Sequence, residues 1–217
     1  MGQARRIIAV AAALGAIAVA AAPAYAVKTK ETGKFTGTGS PRAKAEGEQE
    51  FSFKPFKITC EKAKGKGEAE VSATELSLSV KYSGCKAEAK LGKVDITEVS
   101  AKFKAPVALT YSAAGKISIA EPIEISIGGA VKCKLTVESV TEVGKATYET
   151  KEETTENLKK FPTGIQDKLL ITNGLRKLSY TREGGLCAYL TSEGKGSYTG
   201  ALLAEVKNGN LGYESAS

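Results

Sequence analysis

This chain of 217 residues contains four cysteines but no histidine, which limits the chemistry that its side chains can perform. The missing histidine excludes Ser–His–Asp and Cys–His catalysis and every His-ligated metal site. A serine hydrolase would then need a Ser–Lys pair, and S-x-x-K spacings occur at Ser83/Lys86 and Ser192/Lys195. A chain this rich in serine and lysine contains such spacings by chance, and neither comes with the K-T-G of the penicillin-binding enzymes. We therefore expect no catalytic serine.

Acidic residues are the second group with catalytic potential, because glycoside hydrolysis uses two facing carboxylates. The chain has two aspartates, Asp95 and Asp167, and its glutamates fall on the polar phase of predicted strands or in the cluster Glu149–Glu156. The sequence contains neither an Asp-rich calcium loop nor a phosphate-binding glycine motif. It thus predicts no catalytic residue, no metal site and no cofactor, with a carboxylate-based hydrolase without a linear motif as the alternative.

Residues 1–26 have the features of a secretory signal peptide. Arg5 and Arg6 precede the apolar run Ile7–Ala22, and Ala24–Ala26 supplies small residues at the two positions that a signal peptidase reads. The run is shorter than the ~20 residues of a membrane-spanning helix. We therefore expect a mature chain, residues 27–217, that has no transmembrane segment and is secreted or associated with the cell envelope.

Four cysteines in an exported chain predict two disulfides. The sequence alone leaves three pairings open. We favour Cys60–Cys85 together with Cys133–Cys187, because each bond would join neighbouring strands. A reactive thiol pair is the alternative, but the C-x-x-C spacing typical of such pairs is absent.

The dominant hydrophobic period is two, which is typical of half-buried strands. In one example, Leu76, Leu78, Val80 and Tyr82 alternate with polar residues. Repeated between turn signals, this pattern predicts an all-β fold, a disulfide-stapled antiparallel β-sandwich or barrel after a cleaved signal peptide. We expect residues 27–50 to form a flexible lead-in or first strand and residues 51–217 to form the all-β domain. A division into two subdomains near residue 105 is an option.

Two local signals refine this picture. The apolar phase changes between Phe53 and Phe56, and Lys54-Pro55 lies at the change, which predicts a β-bulge or an edge position there. Asn173-Gly174 stands between two apolar runs, as in a two-residue hairpin turn. We therefore predict a hairpin centred on Asn173-Gly174.

The net charge of +7 comes largely from the first part of the chain. Residues 27–104 hold 16 basic against 11 acidic residues, whereas residues 105–217 hold 13 of each. Lys62, Lys64 and Lys66 alternate along a segment predicted to be a turn, and such a cluster would attract an anionic cell-wall polymer or envelope surface. The alternative is that lysines protect strand edges and keep the protein soluble. Nucleic acid is not an expected partner, because only three basic residues of the mature chain are arginine and no aromatic–basic module occurs.

Short motifs around the cysteines resemble those of a group of exported bacterial β-rich proteins with paired cysteines. The motifs are I-T-C-E-K-A at residues 58–63, Y-S-G-C at 82–85, G-L-C at 185–187 and Y-T-G at 198–200. The group is uncharacterised, so the resemblance implies export and a β-rich fold but no activity and no functional residues.

The sequence as a whole favours an exported, non-catalytic binding or structural module that acts at or outside the cell envelope. A second alternative is a carrier that encloses a small apolar ligand against the apolar residues of Ile117–Val137. The ligand and the oligomeric state are left open.

Overall fold

Alternating apolar and polar residues form strands almost throughout the described chain. The structure, a computed structural model, describes residues 33–67, 70–91, 93–129, 131–154, 165–185, 187, 193–207 and 209–215. The signal-peptide prediction for residues 1–26 lies outside the described residues, as does Ser192. The described part belongs to one compact unit, Glu31–Ser217, and contains fifteen strands.

The strands are β1 (Lys34–Thr36), β2 (Pro41–Ala45), β3 (Gln49–Phe53), β4 (Phe56–Gly67), β5 (Glu75–Leu91), β6 (Val94–Phe103), β7 (Val107–Ser112), β8 (Ile117–Ile119), β9 (Ile123–Ile127), β10 (Cys133–Val137), β11 (Val140–Val143), β12 (Lys145–Thr154), β13 (Ile165–Glu183), β14 (Glu193–Val206) and β15 (Gly212–Glu214). All the strand pairings between described residues are antiparallel.

The hydrogen-bonded pairings form a closed ring of strands. β4 pairs with β5, β5 with β6, β6 with β9, β9 with β10, β10 with β13 and β13 with β14. β14 then pairs with β3, and β3 pairs with β4, which closes the ring as in a barrel. Farther along β14 and β4, β2 takes the place of β3 between them. β7 extends the sheet from the first half of β5, and β12 extends it from β13.

The interior of this ring is packed with apolar and aromatic side chains. Phe51 lies between Tyr82, Phe103 and Tyr198, with ring centroids 4.5–5.0 Å apart. The Tyr82 hydroxyl donates to the Tyr198 hydroxyl, which donates to Gln49 Oε1 at 2.7 Å. The buried hydroxyl groups of Tyr82 and Tyr198 are therefore satisfied from within the core, as burial requires.

The disulfides join Cys60 to Cys85 and Cys133 to Cys187, the pairing that the sequence favoured. Cys60 and Cys85 stand directly opposite each other on β4 and β5. Together with the antiparallel strands, they confirm the predicted all-β, disulfide-stapled fold.

The prediction of a bulge or edge at Lys54-Pro55 was wrong. These two residues form the turn of a hairpin between β3 and β4, and Phe53 pairs directly with Phe56. Residues directly opposite in an antiparallel pair point to the same face of the sheet. The change of apolar phase therefore comes from the reversal of the chain, which brings both phenylalanines into the core.

The predicted hairpin at Asn173-Gly174 was also wrong, because β13 runs straight through both residues. On one side Asn173 pairs with Ala146 of β12, and on the other it pairs with Gly200 of β14. A two-residue hairpin turn of the common type needs positive φ at both central residues, and neither residue has one. Pairing on both sides keeps this segment extended.

Residues 27–50, predicted as a lead-in or first strand, contribute β1, β2 and the first two residues of β3 to the described structure. β1 pairs with β15 in a separate two-stranded sheet, and β2 enters the main sheet between β14 and β4. Pro41, the first residue of β2, occupies a strand position that proline tolerates. β2 therefore brings Arg42 and Lys44 beside the lysines of β4.

Candidate anion-binding face

Lys62, Lys64 and Lys66 lie on strand β4, not on the turn that the sequence predicted. Lys62 pairs with Ser83 of β5 and Lys66 with Ser79 of β5, so the segment is held in a ladder. All three lysines are exposed, whereas Ala63 between them is buried. Because alternate residues of a strand share a face, the three ammonium groups project from one side of the sheet.

The neighbouring strands place three further cations beside these lysines. Arg42 and Lys44 of β2 stand opposite Lys66 and Lys64, and Lys81 of β5 stands opposite Lys64. All are exposed. We call the six residues the basic face: Arg42, Lys44, Lys62, Lys64, Lys66 and Lys81.

Sequence reasoning missed half of this face. Arg42, Lys44 and Lys81 carry no motif, and each is separated from β4 in the sequence by a stretch that includes a chain reversal. Their contribution depends on register, because a one-residue slip would turn every side chain to the other face. Alternation of Lys44 and Lys81 with apolar residues was the available signal that both are exposed.

A local change of strand phase explains why Lys62 joins the basic face. In β4 the buried residues have even numbers up to Cys60 and odd numbers from Ala63 onward. In β5 the same change of phase occurs between Tyr82 and Cys85, which face Ala63 and Cys60. Gly84 of β5 has a φ of +64°, and a Cβ there would lie 3.0 Å from Glu61 Oε2. Only glycine meets both demands without strain. The paired change leaves Lys62 on the side of Lys64 and Lys66.

The electrostatics of the basic face are unusual because like charges stand directly opposite one another. Lys44, Lys64 and Lys81 form one row across β2, β4 and β5, and opposing Cα atoms in such pairs lie about 4.5–5.5 Å apart. None of the ion pairs found among the described residues involves the basic face. Like charges in this position destabilise a sheet.

An acidic residue of β14, Glu205, stands opposite Arg42 in the ladder but is engaged elsewhere. Its carboxylate forms an ion pair with the ammonium group of Lys168 at 3.2 Å, and Lys168 is buried. In the next row Lys44 is opposite Leu203, which lines a pocket together with Glu46, Lys151, Glu152, Lys168 and Leu170. The basic face therefore ends at β14 on the Glu205–Lys168 ion pair and on Leu203.

No Asp or Glu whose side chain the structure describes is buried, so none of them has the environment of an acid–base catalyst. The hydrogen bond from Lys86 holds the pKa of Glu98 below its usual value, and that from Lys104 does the same for Glu124. A general acid needs its pKa raised instead. The described part of the chain likewise holds no cluster of three metal-ligating side chains.

The Ser83/Lys86 spacing does not form a Ser–Lys pair suited to catalysis. The Lys86 ammonium binds Glu98 Oε1 at 2.9 Å, and this hydrogen bond raises the pKa of Lys86. A lysine that acts as a general base needs a lowered pKa. Lys86 is thus held protonated in a surface ion pair.

The tyrosines of the core are structural in this arrangement. Burial raises the pKa of Tyr198 to about 12, and it raises the pKa of Tyr82 and Tyr111 well above the usual value. The apolar residues of Ile117–Val137, which the carrier alternative would use, are packed in the same core. No tyrosine or phenylalanine among the described residues is exposed.

Comparison of the chain with protein-family models, with curated proteins and with solved structures found no match. The resemblance to exported bacterial β-rich proteins stays a prediction. Among the described residues, no helix is long and apolar enough to span a membrane.

Proposed function

We propose that this protein is an exported, non-catalytic binding module whose basic face contacts an anionic polymer of the cell envelope. The observation that carries the proposal is the row of Lys44, Lys64 and Lys81, which stand directly opposite one another and form no ion pair with an acid of the described chain. A bound polyanion would supply the missing counter-charges. The repulsion within the free protein would then be relieved in the complex, which adds to affinity.

The two disulfides and the predicted export both agree with this role. Two disulfides are consistent with an oxidising location outside the cytoplasm. The predicted signal peptide would deliver the mature chain there. A ligand that is itself part of the envelope would meet the protein directly after export.

The competing interpretation is that the lysines of the basic face serve solubility alone. Exposed lysines do protect sheets from association. A solubility role does not require them to be opposite one another, however, and dispersed lysines would serve it without repulsion. The two interpretations differ in one measurable property, which is saturable binding that depends on these six positions.

The test is co-sedimentation of the mature chain, purified after export, with isolated envelopes at ~50 to 500 mM salt, a range over which exposed charges become screened. The variant K62Q/K64Q/K66Q is compared with K93Q/K116Q/K207Q, which removes three exposed lysines from separate places. We expect the wild type and the second variant to bind at low salt and to dissociate as salt rises. The first variant should bind at least tenfold more weakly.

Equal binding by the two variants would show that net charge, and not the basic face, holds the protein to the envelope. No binding of the wild type at any salt would leave the lysines as solubility residues. Either result would overturn the proposal. Circular dichroism spectra of all three proteins control for folding.

A further inference from the structure

The basic face has a direction, because all its cations lie on β4 or on a strand next to it. Lys62, Lys64 and Lys66 form a line along β4, with Arg42 and Lys44 on one side and Lys81 on the other. A linear ligand that follows β4 passes all six residues. A ligand that crosses the strands meets three cations in one row and then reaches Leu203 of β14.

The spacing of the lysines along β4 sets the distance between charges that a bound polymer should have. Residues two apart on a strand are about 6.7 Å apart, so the three lysines of β4 repeat at that distance. Three backbone bonds of an extended chain span ~3.5 Å, and a chain with one charge every six bonds therefore repeats at about 7 Å. A three-carbon polyol joined by phosphodiesters has this six-bond repeat. Linear polyphosphate, with two bonds between phosphorus atoms, has a repeat only about a third as long.

The surroundings of the cations favour a polymer without rings. Proteins that hold bases or sugar rings commonly stack them on exposed aromatic side chains, and the described residues offer none. The residues of β5 opposite Lys66 and Lys62 are instead Ser79, which is half-buried, and Ser83, which is exposed. Both carry a hydroxyl that donates to phosphate oxygens as well as to polyol hydroxyls.

Resting on the function proposed above, we infer that the polyanion is a polyol phosphate chain, with phosphodiesters linked by short polyols, that lies along β4 with successive phosphates at Lys62, Lys64 and Lys66. Lysine suits this role as a point charge that binds phosphate without demanding a fixed orientation. Arg42, Lys44 and Lys81 flank the chain and contribute through charge alone.

The first experiment compares three soluble probes of eight charges each by fluorescence anisotropy at one salt concentration. The probes are a glycerol phosphate oligomer, a galacturonate oligomer and a linear polyphosphate. We expect the glycerol phosphate oligomer to bind at least tenfold more tightly than either of the others. Equal affinities, or tighter binding of another probe, would overturn the ligand class while leaving the basic face as an anion site. If no probe binds and envelopes do not bind either, the proposed function itself fails.

The second experiment tests the direction of the chain with two variants that each remove three charges and share Lys64. K62Q/K64Q/K66Q removes the line along β4, and K44Q/K64Q/K81Q removes the row across the strands. We expect the first variant to lose about tenfold more affinity for the glycerol phosphate oligomer than the second. Equal losses, or a larger loss in the second, would overturn the alignment along β4.

A membrane surface offers the same chemistry through glycerol phosphate headgroups, and phosphatidylglycerol vesicles distinguish that source. A polymer ligand predicts that the oligomer displaces the protein from vesicles and binds more tightly per phosphate. Tighter binding to vesicles, undiminished by the oligomer, would overturn the polymer as ligand.

Discussion

The basic face and the region where Lys104 adjoins β9, β10 and β13 place their lysines in opposite electrostatic surroundings. In the second region Lys104, Glu124, Lys134 and Glu183 form a chain in which each cation meets an acid. The ion pairs measure 3.1 Å for Lys104–Glu124, 3.5 Å for Lys134–Glu124 and 3.2 Å for Lys134–Glu183. We call these four residues the alternating row. In the basic face, by contrast, Lys64 stands between Lys44 and Lys81.

The contrast shows that lysines on this sheet can be placed opposite acids of neighbouring strands. Both regions are antiparallel and both contain surface lysines, but only the alternating row places an acid beside each of its lysines. Individual surface ion pairs contribute little to stability. The two surfaces therefore differ in whether acids of the described chain neutralise their lysines, and the proposed function rests on that difference.

The largest expected effect comes from removing the disulfide bond of each region. In the chain-entropy model, C60A/C85A should lower the free energy of unfolding by about 3.5 kcal/mol and C133A/C187A by about 4 kcal/mol. Cys60–Cys85 joins the two strands that carry Lys64 and Lys81. Urea unfolding without reductant measures both losses, and a loss below about 1 kcal/mol in either variant would contradict the stabilisation expected of its disulfide.

The next effect comes from giving the basic face an internal acid. K64E places a carboxylate between Lys44 and Lys81, which converts two repulsive pairs into attractive ones. Each cross-strand pair is worth roughly 0.2–1 kcal/mol, so we expect the free energy of unfolding to rise by about 1 kcal/mol while envelope binding falls at least tenfold. K116E makes the same charge change at an exposed lysine outside the face and should alter neither property greatly. Unchanged binding by K64E would contradict the assigned face.

The reverse substitution makes the alternating row resemble the basic face. E124K places a cation between Lys104 and Lys134, and we expect a lower urea midpoint at low salt that recovers as salt is added. E121K changes a nearby exposed glutamate and should show a smaller loss. If E124K is as stable as the wild type at ~20 mM salt, charge alternation across these strands has no measurable effect on folding.

The smallest effect is a pH dependence confined to the alternating row. The hydrogen bond from Lys104 lowers the pKa of Glu124 in the folded state, so the stabilisation is present above the unfolded pKa of about 4.3 and is lost as pH falls through the lower folded value. The stability difference between wild type and E124Q should be constant from pH 7 to about 5 and should shrink below that. A difference that grows toward acid pH would contradict the assigned ion pair.

Part of this picture was predictable because it depends on local pattern. Alternation at residues such as Leu76, Leu78 and Val80 predicts which side chains are buried, since successive residues of a strand face opposite ways. The positions of the cysteines on predicted strands likewise favoured the disulfide pairing, and a count of charged residues placed the basic excess in residues 27–104. Lys62, Lys64 and Lys66 were found in this way as a candidate site.

The remaining features depend on which strands become neighbours, and local pattern does not contain that information. Asn173-Gly174 has the composition of a turn, but pairing with β12 and β14 on both sides keeps it extended. Lys54-Pro55 reads as an irregular strand, yet the pairing of Phe53 with Phe56 makes it a hairpin. The row of Lys44, Lys64 and Lys81 exists only through register between segments distant in sequence. Sequence alternation therefore decided which side chains face solvent, whereas tertiary pairing decided which charges stand together.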